Sequence, residues 1–274
     1  MKKYRIIFIG CGNMGEAILK GIITSGYMES KDIAFYELDK DRINHIKKTY
    51  AVESVKNIGE GVRYSEYLLL AVKPQNIKQV LVEIRKYFNK DINSLISIAA
   101  GVSTGFIEKT LDCRCSVMRV MPNAPALFNK GMATISNGQY SSKKDQQFTT
   151  DLMEQVGECI LIDEKLQNIA TAINGSGPAY FFLFCKYMID AAVKNGIPED
   201  DARTLVAETM IGSGIMISKS GLEMDKLISR VASPGGTTEK ALQVFSDKSL
   251  GNTIAQAIDD AAKRSVELED ELDK

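Results

Sequence analysis

The chain has 274 residues, enough for one large domain or two ordinary ones. Its 34 basic and 35 acidic residues leave a formal net charge of −1, so no global field recruits nucleic acid or an anionic membrane. No apolar run reaches the roughly 18 residues that span a bilayer, and the five scattered cysteines (Cys11, Cys113, Cys115, Cys159, Cys185) argue against a disulfide framework and for a reducing cytoplasm.

The opening MKKYRIIFIGCG has an apolar run too short for a signal peptide and leads straight into a glycine turn, so Tyr4–Ile9 reads as a strand. Further strands are expected at Ile33–Glu37, Tyr67–Ala71, Ser94–Ala99, Cys115–Val120 and Met132–Ile135. Helical patterns lie between them, near Met14–Ser25, Asp39–Tyr50, Pro74–Phe88, Ser103–Thr110 and Lys143–Val156. Strands alternating with helices predict βαβ units and a mostly parallel, doubly wound sheet. The pattern changes after Asp163. Leu166–Ile173, Pro178–Lys194, Glu199–Lys219, Asp225–Val231, Thr238–Phe245 and the tail from Thr253 all read as helices. The expected fold is therefore an α/β Rossmann-type domain over residues 1–163 followed by an all-α domain over 164–274. The final VELEDELDK reads as a solvated, frayed end. The helix after Pro178, AYFFLFCKYMIDAAV, is apolar on nearly every side. Such a helix is buried all round, and a second copy of the chain is the natural source of that cover.

Gly10-x-Gly12-x-x-Gly15 follows the first strand and opens a helix, the setting of a dinucleotide turn. Gly10 makes the tight turn, Gly12 lets the backbone approach a pyrophosphate and Gly15 packs helix on strand, so Gly10, Cys11, Gly12, Asn13, Met14 and Gly15 are candidate cofactor residues. An acid about 20 residues beyond such a motif suits the ribose hydroxyls of NAD and repels the 2′-phosphate of NADP. Glu37 is the better placed acid, with Asp39 as the alternative; Asp39 also reads as a helix N-cap. Lys40 and Arg42 can grip a phosphate, so both NADH and NADPH stay open, with Glu37 tilting toward NADH. Ala71-Val72-Lys73-Pro74 ends a strand at the side where such sheets bind ligands. Ala99-Ala100-Gly101 has side chains small enough for a flat ring to lie against the backbone, or for tight strand–helix packing. Asn123 serves either the cofactor amide or its own turn. Cys113 and Cys115 would share one face of a strand, but with a single histidine, His45, no metal-ligand set is visible. His45 sits in a charged helical stretch and reads as a surface residue, so catalysis is expected to proceed without histidine.

A second glycine turn, SPGGTT at 233–238, reads two ways. Ser-Pro is a good helix start, so the stretch can be a plain cap that tolerates Gly-Gly. Alternatively, the helix-start amides form an anion site that Gly235 and Gly236 leave unobstructed. Gly175-Ser176-Gly177-Pro178 opens the apolar helix, with Ser176 as its cap and Pro178 in its first turn.

GCGNMGEAI at 10–18, AVKP at 71–74, SIAAGV at 97–102, RVMPNAP at 119–125, GSGPAY at 175–180 and SPGGTT at 233–238 occur in this order. Together, over nearly the whole chain, they resemble the pyrroline-5-carboxylate reductases. The resemblance implies hydride transfer from a nicotinamide cofactor to the cyclic imine Δ1-pyrroline-5-carboxylate, giving L-proline. It implies a helical C-terminal homodimer, often assembled further into decamers. It assigns Thr238 the contact to the ring nitrogen and Ser233, Gly235, Gly236 and Thr237 the substrate carboxylate. Ser176 and Gly177 come to the active site, and Ala100 and Asn123 come beside the nicotinamide. The chain departs from the family where it has Ala124 in place of the usual threonine, Glu37 after the second strand, and Glu239 where an apolar residue is common. A β-hydroxyacid dehydrogenase would share the architecture but needs a lysine early in the helix after Gly177, and none comes before Lys186. A non-enzymatic nucleotide sensor is the rival from another class.

Overall fold

The computed structural model describes residues 3–273. In chain order its elements are β1 (Tyr4–Ile9), α1 (Asn13–Thr24), β2 (Ile33–Tyr36), α2 (Lys40–Tyr50), β3 (Glu53–Ser54), α3 (Ile58–Tyr64), β4 (Ser65–Leu70), α4 (Ile77–Arg85), β5 (Ser94–Ser97), α5 (Thr104–Leu111), β6 (Val117–Met121), β7 (Gly131–Asn137), α6 (Lys143–Glu154), β8 (Gly157–Leu161), α7 (Gln167–Ala170), α8 (Gly177–Lys194), α9 (Glu199–Lys219), α10 (Met224–Val231), α11 (Thr237–Asp247) and α12 (Leu250–Asp273).

The strands form one sheet in the order β3-β2-β1-β4-β5-β6-β7-β8. All neighbours are parallel except β6 and β7. β1 carries the alternation that builds such a sheet. Ile6 and Phe8 point to one face, where α1, α2 and α6 supply Ile18, Leu19, Ile22, Ile46, Phe148 and Leu152. Ile7 and Ile9 point to the other, where α3, α4 and α5 supply Val62, Leu81, Ile84, Phe106 and Ile107. Both faces are covered, so the central strands read as continuous apolar runs.

Contacts group the chain into two compact units: residues up to Ser176 with those from Asp260 on, and Gly177–Asp259. The expected break after Asp163 falls just beyond the last strand. Contacts assign the next stretch to the sheet unit, because buried Gln167 accepts from Thr134 Oγ1 at 2.9 Å and donates to Ser136 Oγ at 2.9 Å. The elements differ from expectation in three further places. β3, α3 and β8 are additional; the helix expected from Pro74 begins as a 3₁₀ turn at Pro74–Asn76 and turns α-helical at Ile77; and Cys113 and Cys115 precede β6, which starts at Val117.

The tail is a correction. It is not a frayed end, because α12 continues through it and its polar residues return to the sheet unit. Arg119, 3 % exposed, is paired with Glu164 at 3.3 Å and with Glu269 at 3.2 Å. Asn168 donates to Glu269 at 3.1 Å and accepts from Ser265 Oγ at 2.8 Å. Leu272 packs against the core face that α5 covers. A buried guanidinium needs its charge matched, and VELEDELDK supplies half of the match.

Within Gly177–Asp259, α8 packs on α9, and the rings of Phe184 and Phe245 lie 6.3 Å apart. The expectation that α8 is buried all round is not met within one chain. Phe181, Phe182 and Tyr187 are 59 %, 66 % and 61 % exposed. Their apolar surface is unpaid-for by this copy's own helices, too few to wrap it.

Candidate functional site

The first glycine turn is built by its neighbours. Gly10 has φ +84°, and a Cβ there would stand 2.8 Å from the Ala71 carbonyl oxygen and 2.9 Å from Val72 Cγ1. Both the backbone conformation and the space demand glycine. Gly15 lies against Ala71 Cβ in the same way, at 3.3 Å. Gly12, the N-cap of α1, differs: nothing lies within 4 Å of its Cβ position, and no side chain caps the helix. The amides that open α1 therefore face unobstructed space, as an anion site requires. Cys11 is fully buried beneath the turn, and burial pushes its thiol up to about 12, which disfavours the thiolate.

Above the turn lies a cavity of about 800 Å³ lined by Gly10, Gly12, Glu37, Ala71, Val72 and Lys73 from the expected set. Of the two candidate acids, Glu37 reaches the cavity and Asp39 caps α2, accepting from the Asp41 and Arg42 amides. Glu37 is fixed, one oxygen accepting from the Cys11 amide at 2.9 Å and the other from the Leu38 amide at 2.7 Å. A bare helix start, a large cavity and a rim carboxylate together fit a dinucleotide. Asn13 and Met14 open α1, and Pro74 starts the 3₁₀ turn beyond Lys73.

Arg42 is committed elsewhere. Its Nη2 and Nε donate to the Cys11 carbonyl at 2.5 and 3.2 Å, and Nη2 pairs with Glu16 at 2.7 Å. His45 is exposed, as expected, and sits with Nε2 2.7 Å from Glu16, which also accepts from the Tyr50 hydroxyl at 3.0 Å. Burial alone would raise the Glu16 carboxyl. The bonds from His45, Tyr50 and Arg42 outweigh it and hold the group below the usual carboxylate range.

Ala100 lies in the turn after β5, beside Gly101, which packs on Leu268 of α12. The Asn123 side chain does not cap its own turn but ties it to β7 and to the stretch after α7: it accepts from the Met132 amide at 2.8 Å and donates to Asn174 Oδ1 at 3.0 Å. Ser176 has helical backbone and donates its N–H to Thr171, closing a π turn, so it does not cap α8 as expected. The chain runs from α7 through that turn into Gly177 almost without a break. Gly175 makes the close approach there, its Cβ position 2.4 Å from Met121 Cε.

The second glycine turn belongs to the helical unit. Its helix does not start at Pro234. Gly235 has φ +73°, Gly236 is the N-cap, and α11 begins at Thr237. Ser233 contributes its carbonyl, which accepts from the Gly236 amide at 3.0 Å. A left-handed residue bends the chain before the helix, so Ser-Pro lies outside it. No side chain caps the first turn. Besides the Gly236 amide, that of Gly235 is also held, donating to the Glu239 carboxylate at 2.8 Å. Nothing lies within 4 Å of a Cβ at Gly235.

The cavity also takes in Ile9, Tyr36, Leu38, Ile58, Asn76, Gln79, Val80, Val82, Glu83 and Lys86, all missed from the sequence. Asn76, Gln79, Val80, Glu83 and Lys86 recur every three or four residues, one stripe of a helix. That spacing is visible in the sequence, but only the cavity tells which stripe faces it. Among the described residues no three His, Cys, Asp or Glu side chains are grouped to hold a metal, and no helix is long and apolar enough to cross a membrane.

Two family models match the chain: pyrroline-5-carboxylate reductase dimerisation over residues 164–268, and NADP oxidoreductase coenzyme F420-dependent over residues 5–101. Pyrroline-5-carboxylate reductase 2 of Bacillus subtilis is 34 % identical over 99 % of this chain and 97 % of its own. The reductase of Haemophilus influenzae is 35 % identical over 98 % and 99 %. The crystal structure of Plasmodium falciparum pyrroline carboxylate reductase with NADP bound superposes with a TM-score of 0.88 at 30 % identity, covering 98 % of this chain and 99 % of that one.

Proposed function

The chain belongs to the pyrroline-5-carboxylate reductase family, and from that premise we propose how its own residues divide the work. It is an NAD(P)H-dependent oxidoreductase that reduces L-1-pyrroline-5-carboxylate to L-proline, the last step of proline biosynthesis. Bound in the cavity over Gly12, the cofactor supplies the hydride that adds to the imine carbon.

The remaining work is positioning and charge. The amides of α1 take the pyrophosphate, with Gly10, Gly12 and Gly15 allowing the approach. Ala71–Pro74 and Ala100 border the bound cofactor. SPGGTT takes the substrate carboxylate: Ser233, Gly235, Gly236 and Thr237 form the cradle, and the uncapped first turn of α11 supports that role. The Thr238 hydroxyl bonds the ring nitrogen. A cyclic imine reaches neutral solution partly protonated, so a hydroxyl suffices and no strong general acid is needed. The only histidine, already bonded to Glu16, is not required. Ser176 and Gly177 shape the substrate side, and the Asn123 amide acts by holding Asn174 two residues before Ser176.

NADH is the preferred reductant in this reading. The observation that carries it is the Glu37 carboxylate, fixed by two backbone amides at the cavity rim. The helical segment matched to the dimerisation model carries self-association; the exposed aromatics of α8 support a homodimer, and we extend this to possible stacking of dimers into a decamer. A cytoplasmic setting follows from the odd, scattered cysteines. The test is kcat/KM for the imine with each reductant. A value higher with NADH supports the reading; one higher with NADPH removes Glu37 as selector.

A further inference from the structure

Glu37 and Arg42 hold opposite sides of one residue. The Cys11 amide donates to Glu37, and the Cys11 carbonyl accepts from Arg42. Arg42 is thus tied to the Glu37 rim through Cys11, while the cations that line the cavity itself are Lys73 and Lys86. A guanidinium is the side chain best suited to a phosphate, which it grips with two parallel bonds. A ribose 2′-phosphate beside Glu37 would meet repulsion from that carboxylate and attraction from Arg42, were Arg42 free.

It is not free. Glu16, on α1, takes Arg42 at 2.7 Å while its other oxygen lies 2.7 Å from His45. The Glu16 and Arg42 side chains are only 18 % and 27 % exposed, so solvent screens the pair less than it screens a surface pair. One carboxylate therefore occupies both a guanidinium and the chain's single imidazole. Neither the glycine motif nor the acid after β2 contains this residue's role.

We propose that Glu16 is a second determinant of cofactor preference, a positioning residue that, together with the Cys11 carbonyl, withholds Arg42 from a ribose 2′-phosphate. Glu37 repels that phosphate; Glu16 holds back the guanidinium beside the turn that would attract it. The proposal rests on the reading that the cavity holds a dinucleotide with its ribose at Glu37.

The experiment is calorimetric titration of the full-length protein with adenosine 2′,5′-bisphosphate and with adenosine 5′-monophosphate. The readout is the ratio of the two affinities in wild type, Glu16→Gln, Glu16→Ala, Glu37→Ser and Glu16→Gln/Arg42→Ala, each checked for a cooperative melt. Both Glu16 variants should move the ratio about fivefold toward the bisphosphate, the size of one released charge pair. Adding Arg42→Ala should cancel the gain, which a merely loosened α1 would not do. The ratio of kcat/KM with NADPH to that with NADH should move the same way. If Glu37→Ser shifts the affinity ratio and neither Glu16 variant does, the Glu16 proposal alone falls. If no variant shifts it, the assignment of the ribose to Glu37 falls as well.

Discussion

The two glycine turns open helices in the same way but are held in different ways. Around Gly10 the neighbours dictate the residue: a Cβ would meet the Ala71 carbonyl at 2.8 Å, and the turn is bonded to Glu37 and Arg42 on either side. At Gly235 nothing stands within 4 Å of where a Cβ would be, and its amide bonds back to Glu239. The first turn is a property of the sheet unit, formed whether or not a ligand comes. The second owes Gly235 to backbone conformation alone, while Gly236 is crowded only by Ser233 of the same turn, 2.8 Å from its Cβ position. The first turn is thus held by the rest of its unit, the second by contacts within its own few residues.

That contrast can be broken most sharply at Thr238. Thr238→Ala should lower kcat about a hundredfold, the scale of a lost transition-state hydrogen bond. The melting temperature and the binding of reduced nicotinamide nucleotide should stay put. Unchanged kcat in steady-state assays removes Thr238 from the chemistry. Gly10→Ala should act oppositely, costing about 2 kcal/mol of stability by denaturant titration as the Cβ collides with Ala71 and φ becomes strained. The matching Gly235→Ala should cost about 1 kcal/mol or less, since only φ is at fault there. Equal losses at the two glycines would erase the distinction.

Glu37→Ser tests the first turn's partner. The NADPH/NADH ratio of kcat/KM should rise about tenfold, the effect of removing one charge from beside a phosphate; a fixed ratio means the ribose lies elsewhere. The smallest effect is expected at Glu239. Its carboxylate already occupies the Gly235 amide, so a substrate carboxylate must displace it. Glu239→Gln should lower KM for the imine about threefold with kcat little altered. A raised KM would mean that Glu239 organises the cradle instead of competing for it.

How much of this could be read from the chain depends on how local the cause was. β1 was legible to the residue because a strand covered on both faces is one apolar run, YRIIFI. β3, only Glu53–Ser54, carries no apolar signal, and β8, GECIL, is a largely exposed strand at the sheet edge. α3 was hidden by Gly59 and Gly61, poor helix formers that packing requires: a Cβ on Gly59 would strike the Tyr87 ring at 2.5 Å. At the site, the glycine turn and Glu37 were legible because a strand and a helix frame them within thirty residues. The Glu16 cluster was not, because its partners lie on α2 and only the docking of two helices brings them together. Glu269 was misread for the same reason, since an acidic run at a chain end looks solvated until a buried arginine 150 residues earlier claims it.

The pairing of Glu269 with Arg119 also fixes an order of events. Arg119 enters the sheet on β6 with neither of its carboxylate partners, Glu164 and Glu269, yet made. The guanidinium must wait, solvated or half-matched, until the last turns of α12 have left the ribosome. The first unit to begin folding is thus among the last to finish, and a ribosome-stalled chain ending at Asp259 should show a sheet unit that is slower to resist protease than the released protein.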